Sequence, residues 1–191
     1  EDATDWFNYL ISIGYSADNI IVLGDGHSTN YPKYNGLATE ANYKYYLNWL
    51  ADQDCDTIGF YTSGHGAGDG NGNSYLCAWD CGSGESGEDG DFNDYEVAAI
   101  LATALADNIH VFIDHCYSGG MAPELMAMGN SAKVYCSTTC TEDGYGYDDP
   151  THNNGAWTYY FLEYTLINHF GSSATTTMEA AYDYASAAYP H

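Results

Sequence analysis

Apolar residues recur along this chain with helical spacing in some stretches and as short unbroken runs in others. Trp6, Phe7, Leu10 and Ile11 fall on one helical face across residues 3–14, and Gly14 supplies a stop. The run "NIIVLGD" (19–25) is continuously apolar before Gly-Asp, which predicts a strand buried on both faces. Residues 26–37, rich in Gly, Asn, Ser and Pro, read as a loop. A helix is predicted over 39–52, with Thr39 as N-cap and a stripe through Tyr43, Tyr46, Leu47 and Leu50. "DTIGFYTSGHG" (56–66) reads as a second strand entering a glycine turn. Residues 67–92 are rich in Gly and Asp, with a hairpin expected at "SYLCAWDC". A third helix is expected at 93–105, capped by Asn93 or Asp94, and strands at 110–116 and 132–140. A loop (141–155) then leads to helices at "GAWTYYFLEYTLINHF" and at 175–189. Strands alternating with helices predict an α/β fold with a mainly parallel central sheet flanked by helices. At 191 residues and 45% hydrophobic, with no repeat or linker, residues 1–191 suit a single domain.

Charge narrows the partners. Three lysines and no arginine stand against 27 acidic residues, a formal charge of −24. Such a surface repels nucleic acid and anionic lipid and draws cationic peptides or divalent metal ions. No apolar run approaches the roughly 20 residues of a membrane span, so membrane insertion is not expected. The pairs Cys77/Cys81 and Cys136/Cys140 are candidate disulfides, with metal ligation or free thiols as alternatives. Their three-residue spacing fits a zinc knuckle poorly. Close cysteine pairs in an acidic, lysine-poor chain point to an extracellular or cell-surface setting. The abrupt helical opening, "EDATDWFNYL", is what a mature chain with its leader removed would show.

Ligand sites of open α/β sheets lie beyond the carboxyl ends of the strands. Two predicted strands end there in "SGHG" and "HCYSGG", which brings His65 and Cys116 to one sheet edge. Glycine after each lets a substrate approach the backbone. A base beside a thiol raises its thiolate fraction, and the thiolate attacks a carbonyl carbon. The N–H groups of Gly66 and Cys116 are candidate oxyanion donors. Strand alternation puts Asp114 on the same face as Cys116.

"DTIGFYTSGHG" resembles the histidine motif, and "HVFIDHCYSGG" the Asp-x-Cys-x-Ser-Gly motif, of the caspase-like cysteine peptidases, closest to metacaspases and legumain-like enzymes. "GYSADNIIVLGD", "ATEANYKYYLNWLA" and "GAWTYYFLEYTL" follow in the family's order, so the resemblance covers most of residues 2–170. It implies a caspase-haemoglobinase fold, a three-layer α/β/α arrangement with His65 as general base and Cys116 as nucleophile. It also implies that Asp114, with Asp2 matching the metacaspase Asn-Asp-Ala segment, binds a Lys or Arg side chain before the scissile bond. Arginine-based aspartate specificity is disfavoured, because the chain has no arginine. Two departures stand out. The family's first strand is missing, and His115 replaces the usual Ala or Ser.

No cofactor is required by this chemistry. Calcium is a secondary expectation, at Asp89, Asp91 and Asn93 or at "GDGNGNSY", although Ile100 stands where an EF-hand would place its closing glutamate. Turn and cap chemistry explains both stretches without an ion. The expected partner is a peptide or protein substrate. Competing readings are legumain-like asparagine specificity and a catalytically silent module, self-associating or completed by a strand from another chain.

Overall fold

The computed structural model describes residues 1–171 and 176–191. Helix α1 (Asp2–Ser12) carries Asp2 and Asp5 in its first turn, where carboxylates suit the partial positive charge of a helix start, and buries Trp6 and Tyr9. The strand expected at 19–25 contracts to β1 (Leu23–Gly24), paired in parallel with β2 (Gly36–Leu37) inside the segment read as loop. Asn35 explains the contraction. Its N–H donates to the Val22 carbonyl at 2.8 Å and its Oδ1 accepts the Val22 N–H at 2.9 Å, so a loop residue replaces a ladder partner.

Thr39 caps α2 (Glu40–Ala51) as expected, its hydroxyl oxygen accepting the Asn42 N–H at 3.3 Å. Next come β3 (Thr57–Ser63), β4 (Gly66–Gly68), β5 (Ser74–Cys77) and β6 (Asp91–Asn93). Only the first half of "SYLCAWDC" is strand, and β5 pairs antiparallel with β4 and β6 rather than with its own second half. Asn93 and Glu96 form a reciprocal capping box at the start of α3 (Asp94–Leu101). Strand β7 (Asn108–Asp114) stops two residues short of Cys116, and α4 (Met121–Met126) follows. That helix was not expected, since six residues are too few to show a period. Then come β8 (Lys133–Thr138) and the small hairpin of β9 (Asp148–Asp149) and β10 (Asn154–Gly155), within the segment read as loop. Helix α5 (Ala156–Thr158) runs on into a wide π-type helix (Tyr159–His169), where the Thr165 hydroxyl donates to the Tyr160 carbonyl at 2.7 Å. Finally α6 (Met178–Ala188) is capped by Thr177, while the expected start at Thr175 lies outside the described residues.

The centre is a parallel sheet in the order β3-β7-β8. Its middle strand is buried on both faces, so its residues divide between two cores. Ile109, Val111 and Ile113 pack with Leu47, Val97, Leu101 and Leu125, which come from α2, α3 and α4. Phe112 packs oppositely with Trp6, Trp157, Phe161, Leu166, Ala181 and Ala185, from the N- and C-terminal helices. The fold is therefore α/β, with a three-stranded parallel sheet flanked by helices. On its other side β3 has no partner strand among the described residues. No described helix is long and apolar enough to cross a membrane.

Candidate active site

Strand register builds the site. β3 and β7 run parallel with Ser63 level with Asp114, so two residues further on His65 and Cys116 emerge from adjacent strand ends. The Gly64 N–H continues the pairing by donating to the Asp114 carbonyl at 3.2 Å. At Gly66 a side-chain carbon would collide with the Cys116 carbonyl oxygen and crowd His115 Cβ at 3.0 Å. The two turns therefore press backbone on backbone, which only glycine permits.

The Cys77 N–H donates to the His65 carbonyl at 2.9 Å. That makes Gly66 and Leu76, which face each other in the ladder, a non-hydrogen-bonded antiparallel pair, with the Gly66 N–H turned away from β5. The Cys116 N–H has no backbone partner among the described residues. Both proposed oxyanion donors are thus free of the ladder. Cys116 is half-buried, and its thiol donates to the Gly146 carbonyl at 3.8 Å. Gly146 belongs to the loop before β9, and a side-chain carbon there would sit 3.4 Å from the Cys116 nitrogen and 3.2 Å from the His115 carbonyl carbon. Tyr117, which follows, takes φ +59°, a left-handed conformation uncommon for a bulky residue. Its N–H donates to the Gly144 carbonyl at 2.9 Å, and Ser118–Gly120 turns the chain into α4. The His65 ring is exposed, and no described side chain hydrogen-bonds to it.

Asp114 and Asp2 come together around Gly155. Asp114 is buried, and its Oδ2 accepts the Thr158 N–H at 2.8 Å and the Thr158 hydroxyl at 2.9 Å. Burial nevertheless pushes the Asp114 carboxyl up to about 6, and the Asp2 charge adds to the rise. Asp2 accepts the Gly155 N–H at 3.1 Å and the Ser63 hydroxyl, and burial raises it too against those bonds. A side-chain carbon on Gly155 would strike Asp114 Oδ2 and lie 3.1 Å from Asp2 Oδ2. No described lysine faces this pair. Lys33 donates to the Ala17 and Ile20 carbonyls, Lys44 is held by glutamates, and Lys133 starts β8 at the opposite end of the sheet. Sequence reasoning did not find Ser63, Gly155 and Thr158. Ser63 alone left a trace, at the same level as Asp114.

His115 turns inward. It is 2% exposed, with Nε2 2.9 Å from the Thr62 hydroxyl and Nδ1 2.5 Å from the His65 carbonyl oxygen. Burial pushes it down to about 4, so the ring is neutral at ordinary pH. The side chain packs under the turn and presents no free nitrogen.

The cysteine pairs and the acidic loops take these arrangements. All six cysteines are thiols. Cys136 packs against the core while Cys140 directs its sulfur to the His115 carbonyl (3.4 Å) and to Ser118 (3.5 Å), so the two face different surroundings. Cys77 and Cys81 carry free thiols, and the Cys81 thiol donates to Asp91 at 3.1 Å. Asp89, Asp91 and Asn93 are each engaged in a local turn, thiol contact or helix cap. Asp89 accepts the Asp91 N–H at 3.0 Å, and Asn93 caps α3. Among the described residues Glu40, Glu88 and Glu96 do converge, and Lys44 Nζ lies against all three at 2.6–2.7 Å. No protein-family model matches the chain, and no curated protein matches it.

Proposed function

We propose that the chain is a caspase-like cysteine endopeptidase, of the metacaspase and legumain-like kind, that cleaves after Lys or Arg. The observation that carries this reading is the level pairing of His65 and Cys116 at two adjacent strand ends, with their turns in backbone contact. In this mechanism His65 takes the thiol proton and the Cys116 sulfur attacks the scissile carbonyl carbon. The N–H groups of Gly66 and Cys116 receive the oxyanion. Collapse expels the amine, which takes its proton from His65, and leaves a thioester. Water, deprotonated by His65, then hydrolyses the thioester and frees the thiol. Asp2 and Asp114 hold the substrate ammonium or guanidinium, since they form a like-charge pair that no described lysine faces.

A second specificity has its own support. A carboxyl pushed up to about 6 carries its proton in mild acid. Protonated Asp114 then donates a hydrogen bond to an asparagine amide oxygen, which fits legumain-like cleavage below that pH. The extracellular or cell-surface setting remains part of the proposal.

Cys116→Ala is expected to abolish cleavage of Lys and Arg peptides. Equal cleavage by wild type and variant would sink the assignment. Acyloxymethyl ketones carrying Lys or Asn, applied at pH 7.5 and pH 5 with mass-spectrometric mapping, distinguish the specificities. Labelling of Cys116 by neither reagent in folded protein favours the silent module.

A further inference from the structure

The candidate dyad lacks a third member at its side chain. In Cys/His systems the imidazole is usually oriented by another group, yet no described side chain hydrogen-bonds to the His65 ring. Its aim must come from its backbone. The Gly64-His65-Gly66 turn is flanked by glycines, Gly64 at φ +154°, and so has little stiffness of its own.

The stiffness comes from beneath. A carbonyl oxygen only accepts hydrogen bonds, so the 2.5 Å contact between His115 Nδ1 and the His65 carbonyl places the proton on Nδ1. A neutral ring then has Nε2 as acceptor, and the Thr62 hydroxyl donates to it at 2.9 Å. Thr62 has spent its hydrogen, so the Tyr43 hydroxyl at 3.5 Å donates to Thr62. The ring is thereby fixed in tautomer and orientation from both sides. It also fills the space below the turn: side-chain carbons at Gly64 and Gly66 would meet His115 at 3.4 Å and 3.0 Å. The Cys77 N–H reaches the same His65 carbonyl from β5 at 2.9 Å. The turns after β3 and β7 thus meet β5 at one oxygen atom.

We infer that His115 is a positioning residue, whose Nδ1–H holds the His65 carbonyl and so sets the turn that aims the general base at Cys116. The inference rests on the peptidase reading above. It also gives the departure from the family a use, because alanine or serine at this position cannot reach the carbonyl.

The test compares wild type, His115→Leu and His115→Asn, each checked for folding by circular dichroism. Leucine fills the volume without a donor, whereas asparagine offers Nδ2–H near the place of Nδ1. His115→Leu is expected to lower kcat about 100-fold with KM nearly unchanged, the cost of a base misplaced by about 1 Å. His115→Asn is expected to recover most of that loss. Full kcat in the leucine variant, equal loss in both, or a loss confined to KM would overturn the inference. If His115→Leu does not fold, Thr62→Val takes its place, because it frees Nε2 and unlocks the ring. Reduced kcat at constant KM is then expected, and wild-type kcat counts against the inference. Nitrogen-15 spectra of the histidines supply a readout independent of turnover. His115 is expected as the Nδ1–H tautomer, with His65 signals moved by Leu and kept by Asn, and the opposite tautomer would overturn the inference. If Cys116→Ala cleaves like wild type, only the peptidase reading falls, and the spectra still decide the role of His115.

Discussion

Asp114 must be ionised to hold a cation, yet it sits where ionisation is costly. Burial outweighs the two Thr158 hydrogen bonds and pushes its carboxyl up to about 6. On the proposed specificity, a lysine substrate therefore loses its partner charge as pH falls through that value. The ratio of kcat/KM for a Lys peptide to that for its norleucine analogue cancels the titration of the dyad. It is expected to drop between pH 7.5 and 4.5, and to become flat in Asp114→Asn. A ratio that stays constant in wild type would remove Asp114 from the specificity site. The same residue governs stability with the opposite sense. Its folded pKa lies above the usual 3.8, so its contribution is greatest below pH 3.8 and is lost as pH rises through about 6. Asp114→Asn removes that penalty at neutral pH and is expected to stabilise by about 2–3 kcal/mol, read from urea unfolding at pH 7.5.

At the scale of elements, what could be read from the sequence depended on whether the governing partner was close along the chain. Helix caps at Thr39 and Asn93 are local, as are the glycine turns after β3 and β7, and the sequence shows them directly. The "NIIVLGD" run shows the limit: its apolar pattern reports burial of Ile20 and Val22 but not that Asn35 occupies the Val22 backbone. The carboxylate loops show it too, because alternating Asp and Asn oxygens look like calcium ligands in sequence, while their hydrogen bonds within local turns and caps show only in the structure. The acidic cluster that does converge joins α2, the segment before β6 and α3, and it already holds a cation. Lys44 lies in i,i+4 relation to Glu40 and also meets Glu88 and Glu96. Although burial opposes its charge, these hydrogen bonds hold its ammonium above the ordinary value. Lys44→Met leaves three carboxylates whose oxygens lie within 4.8 Å of one another. It is expected to cost about 1–2 kcal/mol, because Glu40 is buried while Lys44, Glu88 and Glu96 are partly open to screening solvent. Millimolar calcium is expected to raise the Tm of Lys44→Met well above any shift in wild type, by mass action on the vacated cluster. Equal shifts in both proteins would show that the three glutamates are not poised for a cation.

For the whole molecule, the strand-helix alternation revealed the α/β class because each parallel crossover needs a helix of its own. It also placed His65 and Cys116 on one edge, since both motifs sit at carboxyl ends of parallel strands. The pairing of Asp2 with Asp114 joins residues far apart along the chain through Gly155, a link that no local pattern carries. Charge works at this largest scale as well. The formal charge of −24 is already net of the three lysines, so most of the 27 acidic groups have no cationic partner within the chain. Self-repulsion of that charge lowers stability, while its field would draw the proposed cationic substrate inward. Salt screens both, the Debye length falling from about 10 Å at 0.1 M to about 3 Å at 1 M. Raising sodium chloride across that range is therefore expected to raise the Tm and to lower kcat/KM for a peptide bearing several lysines. Alkylation of Cys116 by neutral iodoacetamide, which feels no steering, is expected to change little. If kcat/KM for the cationic peptide holds steady while the Tm rises, the acidic surface serves the fold and takes no part in gathering substrate.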